Sequence, residues 1–125
     1  MDIMPKANLQ LVYVADILRS TAFYKEIFKS EPIFSSPRYV AFSVDASGEA
    51  LFAIWTGGDI PDKTAPRFCE IGIMLSSNQE VDLLFNEWRD KTDIIIIKEP
   101  HDEAFGRTFL IKDPDGHVIR VCPRG

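Results

Sequence analysis

Hydrophobic and polar positions follow the same order twice along the chain, each time predicting a strand, a helix and then three strands. In the first block, the run Leu9 to Val14 is typical of a strand, and Asp16 is a suitable N-cap for the helix that follows. Three further strands are predicted at 31–35, 39–44 and 50–56. The helix carries one broad apolar face, formed by Leu18, Ala22, Phe23, Ile27 and Phe28.

The second block begins with a strand at 68–75, followed by Ser77-x-x-Glu80, which has the form of a capping box. The apolar positions of its helix recur at helical spacing, at Val81, Leu84, Phe85 and Trp88. A strand at 94–98 and a loop at 101–105 follow. The chain closes with a hairpin, because Asp113-Pro-Asp-Gly116 separates two β-rich runs and favours a reversal of direction.

A shift of 61 residues places Leu9 on Glu70, strand on strand and helix on helix. We therefore predict an α+β fold made of a duplicated βαβββ module. The first module covers about 8–58, a linker about 59–67, and the second module about 68–123. Each module has one sheet face covered by its helix, and the other face needs a second module, from the same chain or a twin. The paired modules are expected to form a curved cleft.

Composition restricts the function. A chain of 125 residues that is 46% hydrophobic fits one compact domain without stabilising disulfides, and Cys69 and Cys122 are expected to be buried thiols. The absence of a long apolar run and of a signal peptide pattern predicts a cytoplasmic protein. A net charge of −5 argues against nucleic acid as a partner. An anionic ligand would have to be attracted by local arginines.

Arg120 is the most informative single residue of the final strand. It alternates with Ile119 and Val121 in a segment that is otherwise apolar enough to be buried, so its guanidinium needs a partner or a ligand. A structural salt bridge or an exposed strand edge would satisfy it equally well.

Two phrases of the sequence resemble the vicinal oxygen chelate superfamily, which includes glyoxalase I, extradiol dioxygenases and proteins of fosfomycin and bleomycin resistance. They are Leu11-x-Tyr-Val-x-Asp16 with Ser20-x-x-Phe-Tyr24, and Asp113-Pro-Asp-Gly-His-x-Ile119. The resemblance covers nearly the whole chain. It implies paired βαβββ modules, a homodimer and clefts built from both chains, but it does not imply a reaction.

In the catalytic members of this superfamily, the first and fourth strands of each module carry the ligands of a divalent metal. Carrying those positions over gives Leu9, Phe52, Glu70 and Arg120. Only Glu70 could bind a metal, and a cationic guanidinium repels one, so the resemblance implies a protein without metal or other cofactor. A register shifted by one residue would offer Gln10 as a second donor.

Three stretches resemble a branch of the superfamily that provides resistance to phenazine antibiotics by binding griseoluteic acid derivatives. They are 8–14, 37–42 with 50–58, and 70–75 with 84–88. This resemblance implies a binding protein that sequesters a planar aromatic antibiotic without turnover. Aromatic side chains would stack on such a ligand and arginines would bind its carboxylate, whereas ordinary packing and solvation are the alternative roles. The predicted ligand-binding residues are Arg38, Phe42, Phe52, Trp55, Glu70, Phe105 and Arg120, and Tyr13, Tyr39 and Arg107 are weaker candidates.

Two other functions remain open. One is an enzyme of the same superfamily that acts on a hydrophobic substrate, with Glu70 as general base and Arg120 as electrostatic stabiliser. The other is an interaction module whose cleft only builds a dimer. No catalytic residue is predicted, because His101 and His117 are expected at the surface, in a loop and a turn.

Overall fold

The computed structural model describes residues 2–91 and 93–124 and divides the chain into two compact units. Unit 1 ends at Pro61, and unit 2 begins at Asp62. The predicted α+β class is confirmed, since each unit contains one helix and one four-stranded sheet. Within the described residues, no helix has both the length and the apolar character that a membrane span requires.

Unit 1 follows the predicted βαβββ order. Its elements are β1 (Leu9–Tyr13), α1 (Ile17–Phe28), β2 (Phe34–Ser35), β3 (Tyr39–Ser43) and β4 (Leu51–Trp55). The Asp16 carboxylate caps α1, accepting hydrogen bonds from the backbone N–H groups of Leu18 and Arg19 at 3.1 Å each. In the sheet, β1 lies parallel to β4, and β4 lies next to β3 in the order β1-β4-β3-β2.

The core of unit 1 is an aromatic layer between α1 and the sheet. The ring centroid of Phe52 lies 4.8 Å from that of Tyr24 and 5.2 Å from that of Phe28. Phe42, the antiparallel partner of Phe52, also contacts Phe28, at 5.5 Å. Phe42 and Phe52 are almost completely buried, so this cluster fastens the helix to one side of the sheet.

Unit 2 repeats this arrangement with a longer third element. Its elements are β5 (Glu70–Leu75), α2 (Asn78–Trp88), β6 (Ile95–Glu103), β7 (Gly106–Lys112) and β8 (Val118–Pro123), and the sheet order is β5-β8-β7-β6. The prediction of a loop at 101–105 is wrong at its start, because β6 continues to Glu103 and His101 pairs with Thr108. Two register irregularities interrupt β6, one between Ile96 and Lys98 and one between Lys98 and His101.

The helix of unit 2 is capped and packed as the sequence predicts. The Ser77 hydroxyl accepts the backbone N–H of Glu80 at 3.2 Å, whereas the Glu80 carboxylate accepts from the backbone of Ser76 at 2.9 Å rather than from that of Ser77. Phe85 and Trp88 of α2 pack on Phe109, with ring centroids 5.3 and 5.8 Å from its own.

Cys69 is exposed and Cys122 half-buried, so the prediction of two buried thiols is wrong.

The turn between β7 and β8 is buried, although a four-residue turn of this composition is normally exposed. Asp113, Pro114, Asp115 and Gly116 are all buried. The Asp113 carboxylate accepts the backbone N–H groups of Asp115 and His117 at 2.9 and 2.8 Å, which holds the turn from inside. The turn is thus a fixed part of unit 2.

The segment at the start of unit 2 covers this turn. The Arg67 guanidinium donates to the backbone carbonyls of Asp62 and Asp115 at 2.9 and 2.7 Å, and it lies 3.5 Å from Nδ1 of His117. Because of these contacts, residues 62–67 pack on unit 2 and are more than a linker. His117 is accordingly half-buried and not at the surface as predicted.

Candidate functional site

The side of each sheet that its own helix does not cover is called here the helix-free face. In unit 2 it carries a paired carboxylate and guanidinium. Arg120 donates from Nε to one oxygen of Glu70 at 2.6 Å and from Nη2 to the other at 3.0 Å. Their side chains keep 28% and 39% of their surface exposed, so this bidentate pair remains within reach of a ligand.

Strand alternation places Arg120 on this face. Its neighbours Ile119 and Val121 are fully buried under α2, so the side chain between them must project to the opposite side. Glu70 lies on the adjacent strand β5, where its register partner is Val118. The ion pair therefore crosses the two strands diagonally, and the alternative of a structural salt bridge for Arg120 is realised.

Two features around Arg120 shape the surface beside it. The ring of Phe105, in the turn between β6 and β7, lies 5.8 Å from the centre of the guanidinium and is 48% exposed. Gly72 is the register partner of Arg120, and a β-carbon added there would meet no atom within 4 Å. The helix-free face thus offers an aromatic ring, a guanidinium and an empty space in close succession.

The ion pair shifts the protonation equilibria of both partners in the expected directions. Hydrogen bonding from Arg120 lowers the pKa of the Glu70 carboxyl, although partial burial opposes this effect. The same hydrogen bonds raise the pKa of Arg120. A carboxyl whose pKa is lowered is a weak proton acceptor, so the pairing disfavours Glu70 as a general base.

The helix-free face of unit 1 is apolar and aromatic. Tyr13 and Trp55 are register partners on β1 and β4, and their rings meet edge to face with centroids 5.2 Å apart. Gly57 and Gly58 lie against these two rings so closely that a β-carbon at either position would collide with one of them. The two glycines are therefore required for the placement of Trp55.

Phe42 and Phe52 do not belong to this face, and the expectation that they line a ligand cleft is wrong. Both pack against α1, as their contacts with Phe28 show. Leu9 does lie on the helix-free face, with 52% of its surface exposed, because its partner Leu51 alternates with Phe52. Gln10 pairs with Phe52 and points to the helix-covered side, so the shifted register does not supply a second donor.

The position assigned to Phe52 is displaced by one residue along β4. In unit 2, Glu70 pairs with Val118, and Arg120 lies two residues further along β8. The same step from Leu51, the partner of Leu9, leads to Ala53 and not to Phe52. Ala53 is thus the counterpart of Arg120, and Phe52 is the counterpart of Ile119.

The positions that hold a metal in catalytic relatives do not suit one here. In unit 1 they are Leu9 and Ala53, which offer no donor atom, and in unit 2 they are Glu70 and Arg120, a carboxylate already bound by a cation. In the described part of the chain, no group of three His, Cys, Asp or Glu side chains is arranged to hold an ion.

Comparison with known proteins identifies the family. A model described as a glyoxalase-like domain matches residues 7–124, nearly the whole chain. The chain belongs to this family. The resemblance to the vicinal oxygen chelate superfamily is thereby confirmed.

Relatives of this glyoxalase-like domain include one at high identity. The phenazine antibiotic resistance protein EhpR of Enterobacter agglomerans is 63% identical over 118 residues, which cover 93% of this chain and 90% of EhpR. Among solved structures, protein ATC0852 from Agrobacterium tumefaciens has a TM-score of 0.79 at 26% identity and covers 98% of this chain and 99% of its own.

Two more distant structures show the same fold. A glyoxalase-related enzyme from Fulvimarina pelagi has a TM-score of 0.78 at 17% identity, covering 97% of this chain and 89% of its own. The fosfomycin resistance protein FosX from Listeria monocytogenes, complexed with Mn(II), has a TM-score of 0.76 at 20% identity, covering 98% and 93%. At these identities the likeness concerns the fold alone.

The remaining candidate residues of the glyoxalase-like domain fall in different places. Arg38 is exposed in unit 1, and its backbone carbonyl accepts the N–H of Thr56 at 2.9 Å, which sets it beside the end of β4 and Trp55. Arg107 is bound to Asp82 of α2 at 3.0 Å, on the helix-covered side of unit 2. The structure thus brings together Glu70, Phe105 and Arg120 in unit 2, and Arg38 and Trp55 in unit 1.

Sequence reasoning ranked one residue of the helix-free faces too low and missed another. Tyr13, ranked as a weak candidate, is the ring partner of Trp55, and the alternation of β1 could have placed it there. Glu103 acts on Arg120 through its charge and is itself bound by Nε2 of His101 at 2.9 Å. The irregular register of β6 gave no sequence signal for that arrangement.

Proposed function

We propose that this protein binds a planar aromatic antibiotic of the phenazine type and provides resistance by sequestering it without turnover. The observation that carries the proposal is the 63% identity to the phenazine antibiotic resistance protein EhpR over 93% of the chain. The chemistry of the two helix-free faces supports it independently, because one offers aromatic rings and the other a guanidinium beside a ring.

In unit 1, Trp55 and Tyr13 are the ring-binding residues of the proposal. Each aromatic contact contributes about 0.5–1.5 kcal/mol beyond the apolar area it removes from water. Trp55 is half-buried and fixed by Gly57, so it would lose little conformational entropy when a ligand stacks on it. Arg38, at the same end of β4, is an exposed cation.

In unit 2, Arg120 would donate hydrogen bonds to polar substituents of the ligand. Phe105 would supply an aromatic surface within this unit, and the space over Gly72 would admit a flat ring. At the positions that correspond to metal ligands in catalytic relatives, the one carboxylate is that of Glu70, and it is bound to Arg120. These side chains therefore favour ligand binding over metal-assisted chemistry. The lowered pKa of Glu70 likewise argues against the alternative of an enzyme that uses it as base.

The proposal includes assembly as a homodimer, which the resemblance implies. Apolar side chains on the helix-free face of unit 1 support it, because Leu9 and Leu11 retain 52% and 39% of their surface exposed and would gain from cover. Light scattering should give twice the mass of one chain. A monomer at micromolar concentration would remove this part of the proposal.

Equilibrium dialysis against phenazine-1-carboxylic acid tests the function directly. We expect saturable binding and full recovery of the unchanged compound after prolonged incubation, as measured by liquid chromatography and mass spectrometry. Tryptophan fluorescence should be quenched through Trp55, and quenching should persist in a Trp88→Phe variant, because Trp88, the last residue of α2, is buried against Phe109. Loss of the compound with formation of a product would replace sequestration with catalysis, and absence of binding would refute the proposal.

A further inference from the structure

We infer that Glu70 determines specificity in the proposed site by neutralising Arg120, so that the site binds neutral and anionic planar compounds with similar affinity. This inference rests on the proposed function and concerns the ligand class of the same site. Glu70 acts through Arg120 and is therefore a positioning residue. Selection would depend on ring shape and hydrogen-bond geometry, and not on the charge of the ligand.

The geometry of the ion pair leaves donors for a ligand. A guanidinium has five N–H groups, and Glu70 engages the edge formed by Nε and one N–H of Nη2. The opposite edge, formed by Nη1 and the second N–H of Nη2, is not used by Glu70. That edge can donate to a carboxylate, and equally to an amide carbonyl, a phenolic oxygen or a ring acceptor.

The pair with Glu70 also fixes the direction of this second edge. A bidentate carboxylate holds the guanidinium plane, and the Phe105 ring lies 5.8 Å from its centre. Gly72, the register partner, leaves open space next to it. A flat ligand in that space would meet donors that are already oriented.

The net charge of the groups around Arg120, with Arg120 included, is zero or negative. Glu70 cancels the guanidinium at contact distance, and Glu103 contributes a further negative charge at longer range. Two further titratable groups belong to this cluster: Cys122, which also acts on Arg120 through its charge, and His101, which binds the Glu103 carboxylate at 2.9 Å. A carboxylate ligand therefore gains hydrogen bonds from Arg120 but little net Coulomb attraction, because Glu70 and Glu103 repel it.

The decisive comparison uses two phenazines that differ only in charge, phenazine-1-carboxylate and phenazine-1-carboxamide, at neutral pH and low salt. For the wild-type protein we expect dissociation constants within about threefold of each other. In Glu70→Gln, removing the negative charge that neutralises Arg120 should shift the ratio by about tenfold in favour of the carboxylate. If the role of Glu70 were only structural, Glu70→Gln would bind both compounds more weakly and leave the ratio of their dissociation constants unchanged.

Two control variants separate charge from folding. Glu70→Asp keeps the charge and should hold the ratio within about threefold of the wild-type value. Asp82→Asn removes a carboxylate that binds another arginine, Arg107, at 3.0 Å on the helix-covered side, and it should leave the ratio unchanged. A wild-type measurement needs no variant: raising the salt concentration tenfold should alter carboxylate affinity by less than about threefold.

The outcomes distinguish this inference from the proposed function. If wild type prefers the carboxylate more than tenfold, with strong salt dependence, or if Glu70→Gln leaves the ratio unchanged, the inference is overturned while binding itself stands. If neither compound binds wild type, the proposed function fails and the inference fails with it. A wild-type ratio near one that rises in Glu70→Gln and not in Asp82→Asn supports the inference.

Discussion

Replacing Phe52 and Trp55 by the same residue separates packing from ligand binding on β4. The two positions lie on opposite faces of one strand, because Phe52 packs on Tyr24 and Phe28 whereas Trp55 meets Tyr13. We expect Phe52→Leu to destabilise the protein and leave phenazine affinity unchanged. We expect Trp55→Leu to weaken binding at least fivefold, since a stacking contact is lost.

The size of the effect at Phe52 follows from its contacts. Leucine keeps most of the buried apolar surface but loses two ring pairs worth about 0.5–1.5 kcal/mol each, so unfolding free energy should fall by about 1–3 kcal/mol. Alanine would add a cavity and cost about 3–5 kcal/mol, a large part of the stability of a small domain. Leucine is therefore the better probe, because the variant should remain folded.

Urea unfolding followed by far-ultraviolet circular dichroism measures stability in both variants without depending on tryptophan. Equilibrium dialysis with phenazine-1-carboxylic acid measures affinity under conditions where each variant is folded. The assignment of faces would be refuted if folded Phe52→Leu bound the compound at least fivefold more weakly while Trp55→Leu bound it normally.

Three further predictions concern unit 2. Gly72→Val should weaken phenazine binding while thermal stability stays the same or rises, because valine suits a strand and its side chain enters open space beside Arg120; dialysis and calorimetry check both parts. Arg67→Ala should lower unfolding free energy by about 1–3 kcal/mol in urea, since hydrogen bonds to the carbonyls of Asp62 and Asp115 are lost, and an unchanged midpoint would contradict the role given to Arg67. The stabilisation from Glu70 should be present above its ordinary pKa of 4.5 and disappear as pH falls through the lower folded value, because a carboxyl with a depressed pKa loses its advantage on protonation. The difference in unfolding free energy between wild type and Glu70→Gln, measured from pH 7 to pH 3, should therefore shrink only below about pH 4.5, and it should not exceed about 1 kcal/mol for so exposed a pair.

The order of elements could be predicted from sequence because each signal is local. Asp16 and Ser77 mark the helix starts through hydrogen bonds within four residues. The spacing of apolar residues along each helix follows from the geometry of the helical turn. The β7–β8 hairpin follows equally from its turn residues. The need of Arg120 for a partner or a ligand was also predicted, since it lies in a strand whose neighbouring residues are buried, and its partner in the structure is Glu70.

The face of Phe52 could not be predicted, because it depends on pairing between strands that are far apart in sequence. The offset that aligns β1 with β5 does not hold for β4 and β8, since the β6–β7 hairpin is longer than its counterpart β2–β3. Strand side chains alternate with a period of two, so an error of one residue moves a side chain to the opposite face. The fourth-strand position of unit 1 was misplaced by one such residue, at Phe52 in place of Ala53.

The packing of residues 62–67 over the 113–116 turn likewise could not be predicted from the local sequence. Asp62 and Asp115 are joined only through Arg67, across about fifty positions of sequence. A segment rich in proline, at 59–67, has the composition of a linker whether or not it packs. Burial of this kind depends on tertiary contacts, and composition alone does not reveal it.

The two units are alike in their strand order and on their helix-covered faces, and they differ on their helix-free faces. Their sheets have the same strand order, and the helix-covered faces are alike, with aromatic residues such as Phe52 and Phe109 packed on each helix. The helix-free faces differ at matched positions, since Leu9 corresponds to Glu70 and Ala53 to Arg120. Packing against the helix constrains one face in both units, whereas the other face is not constrained by that packing and could change with the proposed ligand. Substitutions exchanged between the units should therefore be tolerated on the helix-covered faces and should alter binding on the helix-free ones.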